Sequence, residues 1–144
     1  MSGSAMADAF VTMLTAPSVF GPGAVTIGDY SVLEKVTGSC AIVNFAGVGS
    51  RDQTFGGAKV RVWRWQVDGY AKGQADDRIL AMRGISVVDA IVACLEKDST
   101  LQGTSFKTDA VDVTHTPGVL LEIGGNYWLP AGTVNVEAEE LPDG

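Results

Sequence analysis

Apolar residues fall at helical spacing near the N terminus. They are Met6, Phe10, Met13 and Leu14. Ser4 has the side chain that caps a helix start, and Pro17 cannot continue a helix. The pattern therefore predicts a helix over about residues 5–15, followed by a loop rich in glycine and proline.

A second helical pattern lies in the middle of the chain. Its apolar stripe is made of Ile85, Val88, Ile91, Val92 and Leu95. Ser86 and Asp89 have the spacing of a capping box, and Lys97 suits a last turn. We predict a helix over residues 86–97, preceded by a shorter one over 76–83, with Gly84 as the break.

Between these helices lies "VRVWRWQVDGY", residues 60–70, which has the composition of a β-strand. Because side chains alternate along a strand, Trp63 and Trp65 point to one face and Val60 and Val62 to the other. Neither face is cleanly polar. If the tryptophans pack under the 86–97 helix, we expect the valine face to be exposed or to lie on a neighbouring subunit.

The remaining strand patterns complete an α+β prediction. Residues 39–48 form an apolar run of strand length, and "YSVLEKV" fits either a short helix or an edge strand. "SFKTDAVDVTH" and "GVLLEIGG" flank a hairpin-like signal at residues 116–118, and "NYWL" and "TVNVEAEE" follow. The order predicts a mixed or antiparallel β-sheet with an N-terminal helix and a central helix pair packed on one face.

With 144 residues the chain has the usual size of one domain, so we expect a single domain over residues 1–144. The composition around residues 47–57 predicts a flexible or assembly loop. The sequence "VEAEELPDG" concentrates acid at the end and predicts a solvated acidic tail at 139–144.

Charge is scarce and unevenly placed. Charged residues make up 19% of the chain, and residues 1–50 carry only four of them. That scarcity favours a surface covered by a partner or, equally, an uncharged surface of Ser, Thr and Gly. A net charge of −7 argues against tight binding to a phosphate backbone. We expect neither a secretory signal nor a membrane span.

The residues of common catalytic and metal sites do not form a recognisable set. There is one histidine, His115, and the two cysteines, Cys40 and Cys94, lie far apart in apolar surroundings. Asp109 and Asp112, three apart in a predicted strand, are expected on opposite faces. We therefore predict no enzyme activity, no catalytic residues, no metal site and no cofactor.

The tryptophan strand carries the best candidates for a protein contact, because Trp and Arg are enriched at interface hot spots. The candidate interface residues are Arg61, Trp63, Arg64, Trp65, Phe20 and Phe55. The same residues could instead stack on the bases of single-stranded nucleic acid, but the net negative charge of the chain argues against this alternative.

The order of elements resembles that of the tail terminator (tail-completion) proteins of long-tailed bacteriophages and, more loosely, their head–tail joining proteins. The resemblance runs from "DAFVTMLTAP" through "AKVRVWRWQVDGYA" and "ADDRILAMRGISVVDAIVACLEKD" to "TVNVEAEE". It rests on element order and size. The glycine-rich stretch "IVNFAGVGSRDQTFGG" departs most from the family pattern.

The resemblance implies a virion structural protein, made in the host cytoplasm and located in the tail or neck. Such subunits form a ring, usually a hexamer, that ends the tail tube and joins it to the head connector. Partners would be copies of the chain, the tail tube protein and head–tail connector proteins, with DNA as passing cargo. Glu137, Glu139 and Glu140 are candidates for an acidic lumen or tail.

Two alternatives stay open. A head–tail adaptor or stopper, or a tail tube subunit, would be another phage assembly protein, and a tube subunit should lack the central helix pair. A small binding module outside viruses would require a pocket with converging polar groups.

Overall fold

The computed structural model describes residues 3–15, 20–21, 23–35, 38–52, 59–73, 77–98, 100–103, 107–114, 121–123 and 126–140. Within these ranges, three helices and six strands are formed in the order α1 Gly3–Thr15, β1 Val25–Ile27, α2 Val32–Lys35, β2 Cys40–Asp52, β3 Lys59–Gly73, α3 Asp77–Lys97, β4 Lys107–Thr114, β5 Leu121–Ile123 and β6 Asn126–Glu140. The strands form one mixed sheet, so the predicted α+β class is confirmed.

The strand order is β1-β2-β3-β6-β4, and β5 pairs with β6 beside β4. Among the described strand pairs, β1 and β2 are parallel and the other four pairs are antiparallel. The two longest strands, β3 and β6, are therefore central, where both of their edges are hydrogen-bonded. This arrangement puts β1 and β2 at one side of the sheet and β4 and β5 at the other.

The helices α1 and α3 pack on the same face of the sheet, which we call the helix face. The rings of Phe10 in α1 and Trp65 in β3 are 5.5 Å apart. A Cβ placed on Gly69, four residues further along β3, would lie 2.7 Å from Cγ1 of Val87 in α3. The tryptophans thus share the helix face with α1, and α3 covers the next part of β3.

The central helix pair is a single helix, so the predicted break at Gly84 is wrong. Gly84 instead lies where α3 comes close to β6. A Cβ at this position would lie 3.4 Å from Cδ2 of Leu129 and 3.7 Å from Cβ of Ala131. The absence of a side chain lets the helix lie near the sheet, and that packing offsets the low helix propensity of glycine.

Two strand boundaries and one strand pairing differ from the sequence prediction, because long-range pairing decides all three. Residues 47–52, expected in a loop, belong to β2 and pair with β3. Residues 139 and 140, expected in the tail, belong to β6 and also pair with β3. The strands β4 and β5 both pair with β6 rather than with each other. The remaining residues of the predicted loop and tail, and the hairpin signal at 116–118, lie outside the described residues.

Bulges change which side chains share a face. In β2 the register shifts between Phe45 and Gly47, and Gly47 adopts φ 125°, a conformation that favours glycine. Phe45 and Val48 therefore both point to the helix face, although they are three residues apart. A register shift in β4 likewise pairs Asp109 with Glu137 and Asp112 with Asn135, which share one face. The expectation that these two aspartates lie on opposite faces is wrong.

The opposite face of the sheet, here called the outer face, is covered by the chain itself where Val60 and Val62 lie. Their exposed fractions are 6% and 1%. Arg51 in β2 reaches across β3 to the carboxylates of Glu139, at 2.7 Å, and Glu137, at 3.0 Å. The arginine side chain thus passes over the valines of the intervening strand. The expectation that this valine face is exposed or lies on a neighbour is corrected.

The helix α2 covers the other end of the outer face. Trp128 of β6 is completely buried, and its Nε1 donates a hydrogen bond of 2.8 Å to the backbone carbonyl oxygen of Leu33. Lys72, which pairs with Trp128 across the strands, has its Nζ 5.8 Å from the centre of the indole ring. Trp128 therefore attaches the short helix to the sheet through both packing and a hydrogen bond.

Candidate interaction surface

Two of the predicted interface residues lie in the core. Trp65 and Phe20 are 3% and 1% exposed in the single chain. Trp65 is covered by Phe10 and by Phe45, whose ring centre lies 5.3 Å away. Neither Trp65 nor Phe20 is accessible to a partner in the folded subunit, so both assignments are corrected. Phe55 lies outside the described residues.

Three other candidates remain at the surface. Trp63 is half-buried, and Arg61 and Arg64 are exposed. Nη1 of Arg61 lies 3.2 Å from a carboxylate oxygen of Glu140, and Nε of Arg64 lies 3.5 Å from Glu137. The side chains of Arg61 and Arg64 are 58% and 49% exposed, so both arginines can contact another molecule.

One exposed apolar group on the sheet contains a single residue, Trp63, that was predicted from the sequence. Phe45, Val48 and Ile27 are 54%, 49% and 45% exposed, and all three point to the helix face at the β1–β2 side of the sheet. The ring of Trp63 lies 5.8 Å from that of Phe45 and joins the group. We call these four residues the edge patch. Regular alternation would have separated Phe45 from Val48, and Gly47 was the signal for the bulge that unites them.

The edge patch adjoins an incomplete strand pairing. The short strand β1 pairs with β2 only at residues 41–43, and the last backbone contact is a 2.9 Å hydrogen bond from Gly28 N to Val43 O. From Asn44 to Asp52, no described strand pairs with this side of β2. Exposed apolar side chains therefore lie next to backbone groups that can accept a further strand.

A polar cluster occupies the middle of the outer face. Oδ2 of Asp68 accepts hydrogen bonds from the Tyr30 hydroxyl, at 2.8 Å, and from the Asn44 amide, at 3.0 Å. Oδ1 of Asp68 accepts a 2.6 Å bond from the Thr133 hydroxyl. Three donors orient this carboxylate and join β2, β3, β6 and the segment before α2. The arrangement fixes these strands and this segment to one another.

Burial raises the pKa of the Tyr70 phenol from 10.0 to about 12, and the nearby Asp68 charge adds to the effect. The folded chain then keeps a proton that the unfolded chain releases. The free energy of unfolding should be unaffected by this group below pH 10 and should fall as pH rises toward about 12. Urea unfolding across this range should show a weaker decline in Tyr70→Phe. An identical decline in the variant would contradict the assignment.

The glutamates proposed for an acidic lumen or tail are strand residues with arginine partners. Glu137 contacts Arg51 and Arg64, Glu139 contacts Arg51, and Glu140 contacts Arg61. Glu140 is also only 9% exposed. Their charge is thus largely balanced within the subunit, and they join β2, β3 and β6 on the two faces of the sheet.

The cysteines have the properties of core residues. Cys40 and Cys94 are buried free thiols, and burial raises the pKa of Cys40 to about 12. A thiol with so high a pKa is a poor nucleophile and a poor metal ligand near neutral pH. Within the described ranges, no group of three or more His, Cys, Asp or Glu residues could hold a metal ion.

No helix in the described part of the chain has the length and hydropathy needed to span a membrane. No protein-family model matches the chain, and no curated protein sequence matches it.

Proposed function

We propose that the chain is a structural subunit that assembles with copies of itself into a ring. Following the resemblance noted from the sequence, we place that ring at the head–tail junction of a long-tailed phage, where it would end the tail tube. DNA would pass through the lumen as cargo. The observation that carries the assembly part of the proposal is the edge patch beside the unpaired side of β2.

Exposed aromatic and aliphatic side chains in one contiguous group are typical of surfaces that bind another protein. Phe45 and Val48 are about half exposed, although they share a face with the buried Trp65. The helix face is thus covered by α1 around Trp65 and uncovered toward the β2 edge. A neighbouring subunit would complete this cover.

The charge of the chain supports passage of DNA rather than binding. The net charge is −7, and three of the described arginines, Arg51, Arg61 and Arg64, contact glutamates of β6. Tight phosphate binding requires a cluster of uncompensated Lys and Arg. A ring built from such subunits would not hold the DNA backbone.

A tail tube subunit is expected to lack the central helix pair, and the single long helix α3 fills the segment where that pair is predicted, so it supports a terminator-like subunit over a tube subunit. The helix has 21 residues and packs on β3 and β6. The same feature does not separate a terminator from a head–tail adaptor or stopper, which stays the alternative within this class.

Size-exclusion chromatography with light scattering tests the assembly. We expect the wild type to form a closed oligomer at micromolar concentration and Phe45→Ser to dissociate roughly tenfold more readily, since a central aromatic contact is worth more than about 1.4 kcal/mol. Met82→Ser is the matched control, because Met82 is a similarly exposed apolar residue (58%) on α3, away from the patch. A wild-type monomer at all concentrations would overturn the proposal.

A further inference from the structure

We infer that neighbouring subunits are joined by β-strand addition, in which β4 of a second copy pairs antiparallel with residues 44–52 of β2. This inference rests on the proposed self-assembly and specifies its contact. The edge patch would then be covered by the β4 side of the sheet of a second, identical chain.

The open part of the β2 edge and the strand β4 are similar in length. The side of β2 that β1 leaves unpaired runs from Asn44 to Asp52. The strand at the other end of the sheet, β4, has 8 residues, and β6 is its only partner among the described strands. One copy therefore offers a strand of nearly the length that the next copy can accept.

The strand directions allow the sheet to continue from one copy to the next. Each step from β2 to β3, from β3 to β6 and from β6 to β4 is antiparallel, so β4 runs opposite to β2. A rotation about an axis roughly parallel to the strands then brings β4 of one copy antiparallel to β2 of the next. The helix faces of both copies then lie on the same side of the continuous sheet. Each subunit uses two different surfaces, one for each neighbour, as a closed ring requires.

The side chains on the helix face also complement each other. Phe45 and Val48 are exposed on β2, and Val113 of β4, which pairs with the buried Val134 of β6, is half-buried. Pairing β4 with β2 would place Val113 against the edge patch. Cross-strand contacts between aromatic and β-branched side chains stabilise such pairs.

The outer face supplies opposite charges. Arg64 extends from Glu137 over Gly49, where a Cβ would lie 2.9 Å from Nη1, so the guanidinium reaches β2 itself. On β4, Asp112 is exposed and shares the outer face with Asn135. The β2 side thus presents a guanidinium, which is paired with Glu137 in its own subunit, and the β4 side carries an exposed carboxylate. Two β2 edges facing each other would instead bring arginines together.

Two edge variants test the inference by complementation. Val48→Lys places a charge in the edge patch and blocks the β2 side, whereas Asp112→Lys reverses the charge on the β4 side. Each variant alone should be monomeric. Mixed, they should form a 1:1 heterodimer that grows no further, because one intact β4 meets one intact β2. Ala93→Lys, at an exposed position of α3, adds a similar charge and should assemble like the wild type.

The outcomes separate the two proposals. A wild type that never assembles overturns the proposed function and this inference together. A wild-type ring whose two variants also form rings, or stay monomeric when mixed, overturns the strand addition alone. Loss of assembly in Val48→Lys but not in Asp112→Lys indicates a symmetric β2–β2 contact and also overturns it.

Hydrogen exchange provides a second readout, which compares the wild-type ring with a monomeric variant and needs no mixing of variants. In the wild-type ring, amides of residues 44–52 and 107–114 should exchange at least roughly tenfold more slowly than in the monomeric Val48→Lys variant, while those of α3 should not differ. Equal exchange of both edges in ring and monomer would overturn the strand addition.

Discussion

Replacing Trp65 by alanine should lower the free energy of unfolding by about 3–5 kcal/mol, a large effect for a single substitution. Trp65 is 3% exposed and packs against Phe10 of α1 and Phe45 of β2. Within the described structure its indole Nε1 has no hydrogen-bond partner. The loss is therefore a packing loss, caused by the cavity left between α1 and the sheet.

Urea unfolding at fixed protein concentration measures this effect, because assembly would otherwise shift the apparent stability. Trp63→Ala, two residues away on the same face, is the control. Trp63 is only half-buried, so its removal should cost clearly less stability and should weaken assembly instead. Equal destabilisation by both substitutions would contradict the assignment of Trp65 to the core and Trp63 to the edge patch.

Trp128→Ala should be as damaging, at about 3–5 kcal/mol, and should also release α2 from the outer face. The side chain is fully buried and donates its indole hydrogen to the carbonyl of Leu33. Removing it opens a cavity and leaves that carbonyl without its donor. Amide exchange within residues 32–35 should then become faster than in the wild type, while exchange in β3 changes less.

The Trp128→Phe variant separates the contribution of packing from that of the hydrogen bond to Leu33. The ring is largely retained, so the loss should fall to about 1–3 kcal/mol, mainly from the unsatisfied carbonyl of Leu33. Thermal or urea unfolding distinguishes the two variants. If Trp128→Phe were as destabilising as Trp128→Ala, the hydrogen bond rather than the packing would hold α2.

Local patterns were sufficient to predict much of the fold. The apolar spacing around Phe10 predicted α1, and the alternation around Trp63 and Trp65 correctly placed both tryptophans on one face of β3. These predictions succeed because period and side-chain direction are local properties of a helix or a strand. The α+β class followed from the order of such segments.

Predictions failed where distant contacts decide the structure. Gly84 resembles a helix break in the sequence, and only the packing of α3 on β6 explains a glycine within the helix. The run from Asn126 to Glu140 is one strand, although Pro130 and Gly132 make the sequence resemble two. In the sheet, the register shift between Gly69 and Tyr70 lets β6 pass that point with one extra residue. Long-range pairing overrides local propensity at both places.

The candidate surface was predicted only in part for the same reason. Sequence composition drew attention to β3, yet the most exposed apolar residue of the patch, Phe45, lies on β2. Whether a side chain in a strand faces solvent depends on how far α1 extends over the sheet. The bulge at Gly47, which brings Val48 to the same side, could have been inferred only with the pairing in hand.

The bulge in β2 also bears on how the length of this chain can vary in evolution. Ala46 is the extra residue between Phe45 and Gly47, and it is exposed. Deleting Ala46 would leave every cross-strand partner unchanged. A deletion elsewhere in β2 would move the side chains on one side of the deleted residue to the opposite face of the sheet. Ala131, the extra residue in β6, is packed near Gly69 and Gly84 and lacks this freedom. We therefore expect natural insertions and deletions in β2 to concentrate at Ala46.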